Sequence, residues 1–260
     1  MPFVKQFFNV KKFIDLIVKK NYNKNMLEIK NLSYSVEENS GRKDILKDIN
    51  LTFEDNKLYV ITGHNGSGKS SLLKLVMGIM QKSSGQIILD GEDISNLGIT
   101  QRAQKGICYA FQQPVTFKGL KVKDLLDIAA GQSHNLAQMC DILSKVGLCA
   151  KDYIDRFLDD KLSGGELKRI ELAQALAREG KINMFDEPEA GIDLWSFENL
   201  TSLFDNLKKG ITIVVSHQKR ILEIADEIIL LSDGRVIGQG SGKKMLPLLD
   251  DKSCGRLRRD

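Results

Sequence analysis

One eight-residue stretch combines glycines, a lysine and a hydroxyl at the spacing of a phosphate-binding loop, G-x-x-x-x-G-K-[ST]. In such a loop the glycines let the backbone turn so that successive N–H groups point at phosphate oxygens. Lys69 would bridge the outer phosphates, and Ser70 would offer its hydroxyl to Mg²⁺. The predicted nucleotide-binding residues here are Gly63, His64, Asn65, Gly66, Ser67, Gly68, Lys69, Ser70 and the adjoining Ser71.

The residues on either side of this loop have the pattern that the motif requires. Residues 58–62, LYVIT, are a short apolar run typical of a buried strand, and residues 71–77, SLLKLVM, indicate a helix. The N-terminus of a helix carries a partial positive charge, which favours an anion bound in the loop. A glycine-rich turn with a chance Lys-Ser pair would not need this strand and helix, so a nucleotide site is favoured.

The composition is that of an ordinary globular protein. With 260 residues, of which 42% are hydrophobic, the chain can bury the core of one large domain. The four cysteines (108, 140, 149 and 254) form no C-x-x-C pair, which predicts free thiols in a reducing, cytoplasmic compartment and no zinc site. No apolar run reaches the length of a membrane span. Any contact with a membrane is therefore expected through a partner or through the N-terminal segment.

The net charge of +4 is concentrated at the start of the chain. Residues 1–25 contain six lysines and one acid, Asp15, which gives this segment a charge of +5 and leaves −1 for the rest. A protein that binds nucleic acid needs a basic face on its folded domain. Because the main domain supplies no such excess, we predict no nucleic-acid partner.

The N-terminal segment 1–25 reads as a basic amphipathic helix, because apolar residues recur every three or four positions: Phe3, Phe7, Val10, Ile14 and Ile17. Two interpretations remain open. The helix could lie on an anionic membrane or in a partner's groove, or it could be an appendage upstream of a domain that begins at Met26. The second is favoured, with a domain predicted over 26–250 and a basic tail over 251–260.

The order of predicted elements indicates an α/β domain with two smaller parts. Strand-like runs at 27–36 and 45–53 predict an antiparallel hairpin, and residues 86–91 predict a further strand and turn. Residues 107–111 form a short apolar run that ends at Gln112. Helical spacing then dominates residues 122–158, which predicts a helical subdomain over about 113–165. The predicted fold is thus a parallel-sheet core with an antiparallel β subdomain and a helical subdomain.

Three polar clusters follow the helical segment. Ser163 precedes two glycines and then Glu166, which is typical of a helix start that phosphate can approach. The apolar run 182–185 leads directly to Asp186 and Glu187. A second apolar run, 211–215, leads to Ser216 and His217. By itself, a single histidine such as this is more often a surface or core residue than a functional one.

Taken together, these motifs resemble the ATP-binding cassette (ABC) ATPases over residues 26 to about 245. The matching motifs, in family order, are the Walker A loop at 63–70, the Q-loop at Gln112, the signature LSGGE at 162–166, the Walker B strand ending at Asp186, Glu187, the D-loop around Asp193 and the switch histidine His217. The resemblance implies ATP and Mg²⁺ as cofactors and an ATP-dependent head-to-tail dimer.

The resemblance also implies a role for each site residue. Glu187 and His217 would be catalytic, and Ser70, Gln112 and Asp186 would hold Mg²⁺. The signature residues Ser163, Gly164 and Gly165 would contact the ATP of the opposite subunit, and Asp193 would couple the two sites.

Within the family, the sequence is most similar to SufC, the ATPase of Suf iron-sulfur cluster assembly. The features are the run AFQQPV at 110–115, the glutamate that ends the signature, the run GEDI at 91–94, and a valine, Val36, where transporters carry an adenine-stacking aromatic. Tyr34 could stack there or belong to the core. This likeness implies a SufB/SufD-like scaffold as partner. His64, Asn183 and the pair Glu189-Ala190 depart from the pattern and suggest a divergent branch.

Two other functions share the same catalytic residues. The chain could be the ATP-binding subunit of a membrane ABC transporter, whose helices would dock near Gln112. A nonenzymatic adaptor is a weaker alternative, because the intact Glu187 and His217 argue against it.

Overall fold

The structure is a computed structural model that describes residues 25–38, 41–113, 115, 117–158, 162–190, 202–204, 207 and 210–250. The predicted N-terminal extension up to residue 24, the predicted tail at 251–260 and Asp193 lie outside these ranges. None of the helices in the described part of the chain combines the length and hydropathy that a bilayer span requires.

The strands are β1 (Met26–Glu38), β2 (Gly41–Glu54), β3 (Lys57–Thr62), β4 (Ser84–Leu89), β5 (Glu92–Asp93), β6 (Ile107–Ala110), β7 (Ile182–Asp186), β8 (Ile211–Val215), β9 (Glu227–Ser232) and β10 (Arg235–Gly240). The helices are α1 (Lys69–Met77), α2 (Ile99–Gln104), α3 (Val122–Ala130), α4 (Leu136–Lys145), α5 (Ala150–Tyr153), α6 (Gly164–Arg178), α7 (Lys219–Glu223) and α8 (Gly242–Asp250).

A six-stranded sheet with the order β10-β9-β3-β8-β7-β6 forms the centre of the domain. All neighbours run parallel except β10, which pairs antiparallel with β9. The strands β7 and β8 are buried along their whole length, as their continuous apolar runs predict. Because parallel strands end at the same edge, the loops that follow β3, β7 and β8 lie side by side. These loops carry the Walker A residues, Glu187 and His217.

The predicted hairpin is confirmed as β1 and β2, which pair antiparallel and extend beyond the predicted ends. They belong to a second sheet with the order β2-β1-β4-β5. Its apolar face packs with α1 and with one face of the central sheet in a single core cluster, and Tyr34 packs against that cluster. This sheet therefore flanks the helix that follows the Walker A loop.

No strand was predicted beyond residue 215, and β9 and β10 correct this. The two strands are joined by Asp233 and Gly234, which both have positive φ, at 48° and 76°. A type I′ turn, which matches the twist of a β-hairpin, requires positive φ at both of its central residues. Asp-Gly is one of the sequences that this turn prefers. The Asp-Gly pair is thus the sequence signal for this hairpin.

Helices α3, α4 and α5 lie between Gln112 and α6, inside the segment predicted to be helical. Backbone hydrogen bonds from Val122 to Arg156 and from Leu158 to Leu120 close this part of the chain on itself. Its apolar side chains, such as Leu126 and Leu143, join the core cluster on the other face of the central sheet.

Arg102 fastens the end of α1 to the chain that follows the β subdomain. The residue is 3% exposed, and its guanidinium donates hydrogen bonds to the backbone carbonyls of Leu75, Val76, Ser95 and Leu97, at 2.7–2.9 Å. Carbonyls at the end of a helix carry partial negative charge, so they compensate a buried cation. Arg102 lies outside the residues that line the site described below.

Candidate functional site

The Walker A loop follows β3 and depends on glycine at two positions in particular. Gly63 has a φ of 143°, and a Cβ there would lie 1.9 Å from the carbonyl oxygen of Leu231. Gly68 has a φ of 100°, and a Cβ there would lie 2.6 Å from the Leu46 side chain. Because neither backbone conformation nor space permits a side chain, the loop shape requires both glycines.

Lys69 folds its side chain back over this loop. Its Nζ donates to the carbonyl oxygens of Gly63, at 2.7 Å, and His64, at 3.0 Å. Burial lowers the pKa of Lys69, while the charges of Glu187 and Asp186 oppose that shift. A phosphate placed in the loop would give this buried ammonium an anionic partner in place of two carbonyls.

A cavity of about 450 Å³ opens beside the loop. Its lining contains eight of the predicted site residues together with two residues that were not predicted. The ten are Lys43, Ile45, Asn65, Gly66, Gly68, Lys69, Ser70, Ser71, Gln112 and Glu187. Tyr34 is not among them; it is partly buried and packs against the core cluster of the β subdomain. Lys43 and Ile45 come from β2, 20 and 18 positions before the first residue of the loop, and no local motif marks them.

Two Walker A residues, His64 and Ser67, do not line the cavity. The imidazole Nε2 of His64 lies 3.5 Å from the carboxylate of Asp233, in the turn between β9 and β10. Ser67 is fully buried, and within the described residues its hydroxyl has no hydrogen-bond partner. A buried hydroxyl without a partner inside a phosphate-binding loop fits a ligand that supplies one.

Asp186 ends β7 with both carboxylate oxygens bonded. Ser70 Oγ donates to Oδ1, and the phenol of Tyr109 donates to Oδ2, each at 2.9 Å. Burial and the Asp186 charge raise the pKa of Tyr109, so its phenol stays protonated and able to donate. Tyr109 lies on β6, the neighbour of β7, and was not predicted as a site residue.

We expect Tyr109→Phe to raise the Mg²⁺ concentration needed for half-maximal ATP hydrolysis by ~10-fold or more, because Asp186 loses the bond that fixes its orientation. The same shift should appear in Mn²⁺ binding with ATP, followed by electron paramagnetic resonance. Tyr59→Phe is the matched control, since that phenol bonds the backbone of Glu54 away from the cavity. An unchanged metal dependence in Tyr109→Phe would contradict this assignment.

Glu187 follows Asp186 in a strained backbone conformation. Its φ is 47°, in the left-handed region that non-glycine residues seldom adopt. Its N–H donates to the carbonyl of Val215, and its carboxylate accepts a 2.7 Å hydrogen bond from Gln112 Nε2. Strain of this kind persists where the surroundings impose it, and it recurs at active sites. The turn points the Glu187 side chain into the cavity beside the loop.

His217 follows β8, and its ring lies near the charges of Lys69 and Glu187. Partial burial and the Lys69 charge lower the pKa of His217, and the Glu187 charge opposes them. A lowered pKa keeps the imidazole neutral at pH 7, so one ring nitrogen can donate while the other accepts. The preceding Ser216 donates a hydrogen bond of 2.5 Å to Glu189, which joins this loop to the end of β7.

The signature residues lie elsewhere on the chain and do not line this cavity. Ser163 caps α6: its hydroxyl accepts from the N–H of Glu166, and its own N–H donates to the Glu166 carboxylate at 2.7 Å. Hydrogen bonds from Tyr153 and from the Ser163 cap lower the pKa of Glu166 to about 2. Ser163 and Gly164 are exposed, so the start of α6 is accessible to another molecule.

The oxygen donors at the cavity fit Mg²⁺, which prefers hard oxygen ligands. Ser70 Oγ and the Asp186 carboxylate are adjacent, and Gln112 retains its amide oxygen because Nε2 makes the bond to Glu187. The described residues contain no cluster of three histidine, cysteine or acidic ligands. Such a cluster is not needed for Mg²⁺, which is often held by one or two side chains and by substrate phosphates.

Comparison with known proteins decides the family. A family model described as ABC transporter matches residues 46–190. The chain belongs to the ABC transporter family. An uncharacterised ABC transporter ATP-binding protein of Methanocaldococcus jannaschii, MJ0035, is 38% identical over 83% of this chain and 90% of its own length.

Other relatives agree. The energy-coupling factor transporter ATP-binding protein EcfA of Onion yellows phytoplasma is 36% identical, over 82% of this chain and 78% of its own length. Among solved structures, the dimeric ABC transporter cassette MJ0796 is similar in fold, with a TM-score of 0.74 and 21% identity, over 83% of this chain and 98% of that one. The predicted ABC ATPase fold is confirmed, and the protein is an ABC-type ATP hydrolase.

Proposed function

We propose that this ABC ATPase is the ATP-binding subunit of a membrane transporter and drives a partner that binds in a groove next to Gln112. The groove is the observation that carries the proposal. Relatives that are named as transporter subunits, such as the energy-coupling factor transporter ATP-binding protein EcfA, support it. The ATPase activity is inferred from family membership. The groove is where we propose that a partner binds and is moved by the conformational change that ATP hydrolysis drives.

The groove lies between the end of β6 and α3 and has a volume of about 320 Å³. Its apolar side chains include Phe111, Val115, Phe117 and Ile128, and the last of these is 64% exposed. Exposed apolar side chains gathered in one place mark an interaction site. Phe111 and Val115 flank Gln112 in sequence, so a helix bound here would act on the residue that holds Glu187.

The positions of the side chains support the following proposal for the catalytic cycle. With ATP in the loop, Lys69 would exchange its two carbonyl partners for phosphate oxygens. Ser70 and Gln112 would contact Mg²⁺, which would neutralise charge on the phosphates. Asp186 would bind the ion indirectly, through the hydrogen bond that it accepts from Ser70. Glu187 would orient and deprotonate the attacking water, and the neutral imidazole of His217 would donate to the γ-phosphate.

A second subunit would complete each site. The exposed start of α6 presents Ser163, Gly164 and Gly165, and a helix N-terminus favours a phosphate. Because these residues do not reach the cavity of their own chain, we propose that they contact ATP on a partner subunit in a head-to-tail dimer. Asp193, which lies outside the described residues, would couple the two sites. ATP then joins the subunits, and hydrolysis releases them.

Ile128→Glu tests the groove. We expect this variant to bind its transporter partner at least ~10-fold more weakly, because a buried carboxylate in an apolar contact costs about 2 kcal/mol or more. Leu136→Glu is the matched control, since Leu136 is 55% exposed on the neighbouring α4 and lies outside the groove. Both variants should keep basal ATP hydrolysis. Equal partner binding by the two variants, measured by co-purification in detergent, would place the interface elsewhere.

The second candidate is the SufC-like function. It is supported by the residue pattern around Gln112, with AFQQPV at 110–115, and by GEDI at 91–94, but the names of the relatives do not support it. In this case the partner would be a soluble scaffold similar to SufB or SufD, recovered without detergent. Anaerobic reconstitution would then give an iron-sulfur absorption on the scaffold, while the ATPase stayed colourless because its cysteines lack cluster spacing. Recovery of a polytopic membrane protein would contradict this candidate.

A further inference from the structure

A buried ion pair lies on α6, one turn beyond the signature. Lys168 Nζ is 2.9 Å from Glu171 Oε2, and the Lys168 side chain is 1% exposed. Removing two charges from water costs several kcal/mol per ion unless both are well bonded. An apolar pair of similar size would pack the same space at no such cost. The charges therefore require a reason beyond packing.

The pair holds both polar groups of one backbone residue, Phe111. Lys168 Nζ donates to the Phe111 carbonyl at 2.5 Å, and the Phe111 N–H donates to Glu171 Oε1 at 2.7 Å. β6 is an edge strand, and its pairing with β7 ends at Ala110. Phe111 is thus the first residue that has left the sheet. The ion pair provides hydrogen-bond partners for the Phe111 N–H and C=O, which no longer pair with a neighbouring strand.

The residue after Phe111 is Gln112, which bonds Glu187. Gln112 is exposed and lies in a loop, so its own surroundings do little to fix it. Its backbone is anchored one residue away by two charge-assisted hydrogen bonds, which are roughly twice as strong as neutral ones. The Phe111 ring also contacts Tyr109, the residue that holds Asp186, with ring centroids 4.7 Å apart.

We propose that Lys168 and Glu171 are positioning residues that hold Gln112 at the distance at which its amide reaches Glu187. The pair also ties Gln112 to α6, the helix that Ser163 caps, so each subunit's Q-loop and signature would move together. This role concerns the ATP hydrolysis itself and does not depend on which partner binds the groove.

A double-mutant cycle with the residue being positioned tests this role. In the wild-type background, Lys168→Met is expected to lower kcat by ~10-fold, as loss of a supporting contact at a metal site typically does. In a Gln112→Ala background the same change should lower kcat by less than ~2-fold, because no amide remains to be positioned. Additive losses in the two backgrounds would overturn the proposal. So would an unchanged kcat in Lys168→Met alone.

Two further measurements separate positioning from folding. Arg102→Met removes another buried cation that bonds backbone carbonyls, at a place remote from Gln112, and it should lower the melting temperature without losing kcat at 25 °C. Glu171→Gln replaces Lys168→Met if the latter does not fold, and the same non-additivity with Gln112→Ala is expected. In the nucleotide-free protein, the Phe111 amide should exchange hydrogen at least ~10-fold faster in Glu171→Leu than in the wild type. An unchanged exchange rate at this amide would also overturn the proposal.

Discussion

Glu187→Gln is expected to lower ATP turnover by ~100-fold or more and to trap an ATP-bound dimer. The glutamine keeps the size of the side chain and can still bond Gln112, but it cannot take a proton from water. The phosphate contacts of the loop and of the opposite α6 remain. ATP therefore binds, joins two subunits and is not consumed.

Gel filtration with Mg-ATP measures this outcome, with ADP as the nucleotide control. The matched control variant is Glu179→Gln, because Glu179 has the same φ of 47° but is exposed at the end of α6. That variant should turn over ATP as the unchanged protein does and should form no lasting dimer. A Glu187→Gln protein that binds ATP and stays monomeric would contradict the composite-site proposal.

Lys69→Ala is expected to weaken ATP binding by ~100-fold or more, since a charge-assisted bond from the buried Lys69 ammonium to phosphate is worth several kcal/mol. The change also leaves the carbonyls of Gly63 and His64 without their donor. The backbone amides of the loop are then expected to exchange hydrogen faster in the nucleotide-free protein as well.

Calorimetric titration with ATP in the absence of hydrolysis provides the measurement. Lys74→Ala is the control, because Lys74 lies on the same helix, α1, and outside the cavity. If Lys69→Ala bound ATP as tightly as Lys74→Ala, the cavity beside the loop would not be the nucleotide site.

The parts of the site that could be predicted are those fixed by local chain geometry. Gly63 and Gly68 are required by positive φ and by close neighbours, so any sequence that forms this loop must place glycine there. Asp186 is the last residue of the buried strand β7, and Glu187 follows it directly. Ser163 caps a helix whose third residue is Glu166. In each case the residue and its structural cause lie within a few positions of one another.

The parts that could not be predicted depend on contacts between distant segments. Tyr109 bonds a carboxylate 77 positions later, and Lys168 bonds a carbonyl 57 positions earlier. In the sequence, Tyr109 resembles any aromatic residue of a buried strand, and Lys168 resembles a surface lysine of an amphipathic helix. Only the pairing of β6 with β7 and the packing of α6 beside them reveal their partners.

The left-handed backbone conformation of Glu187 lowers the stability of the fold at the residue whose side chain we propose takes part in catalysis. Glycine at a φ of 47° avoids the steric cost that a side chain incurs there, of the order of 1 kcal/mol. Selection for fold stability alone would therefore favour glycine over glutamate at the position where we propose that the attacking water is activated. A lineage that no longer hydrolysed ATP would gain by losing this carboxylate. The presence of a carboxylate in this strained turn is a structural cost that the proposed role of Glu187 in hydrolysis explains.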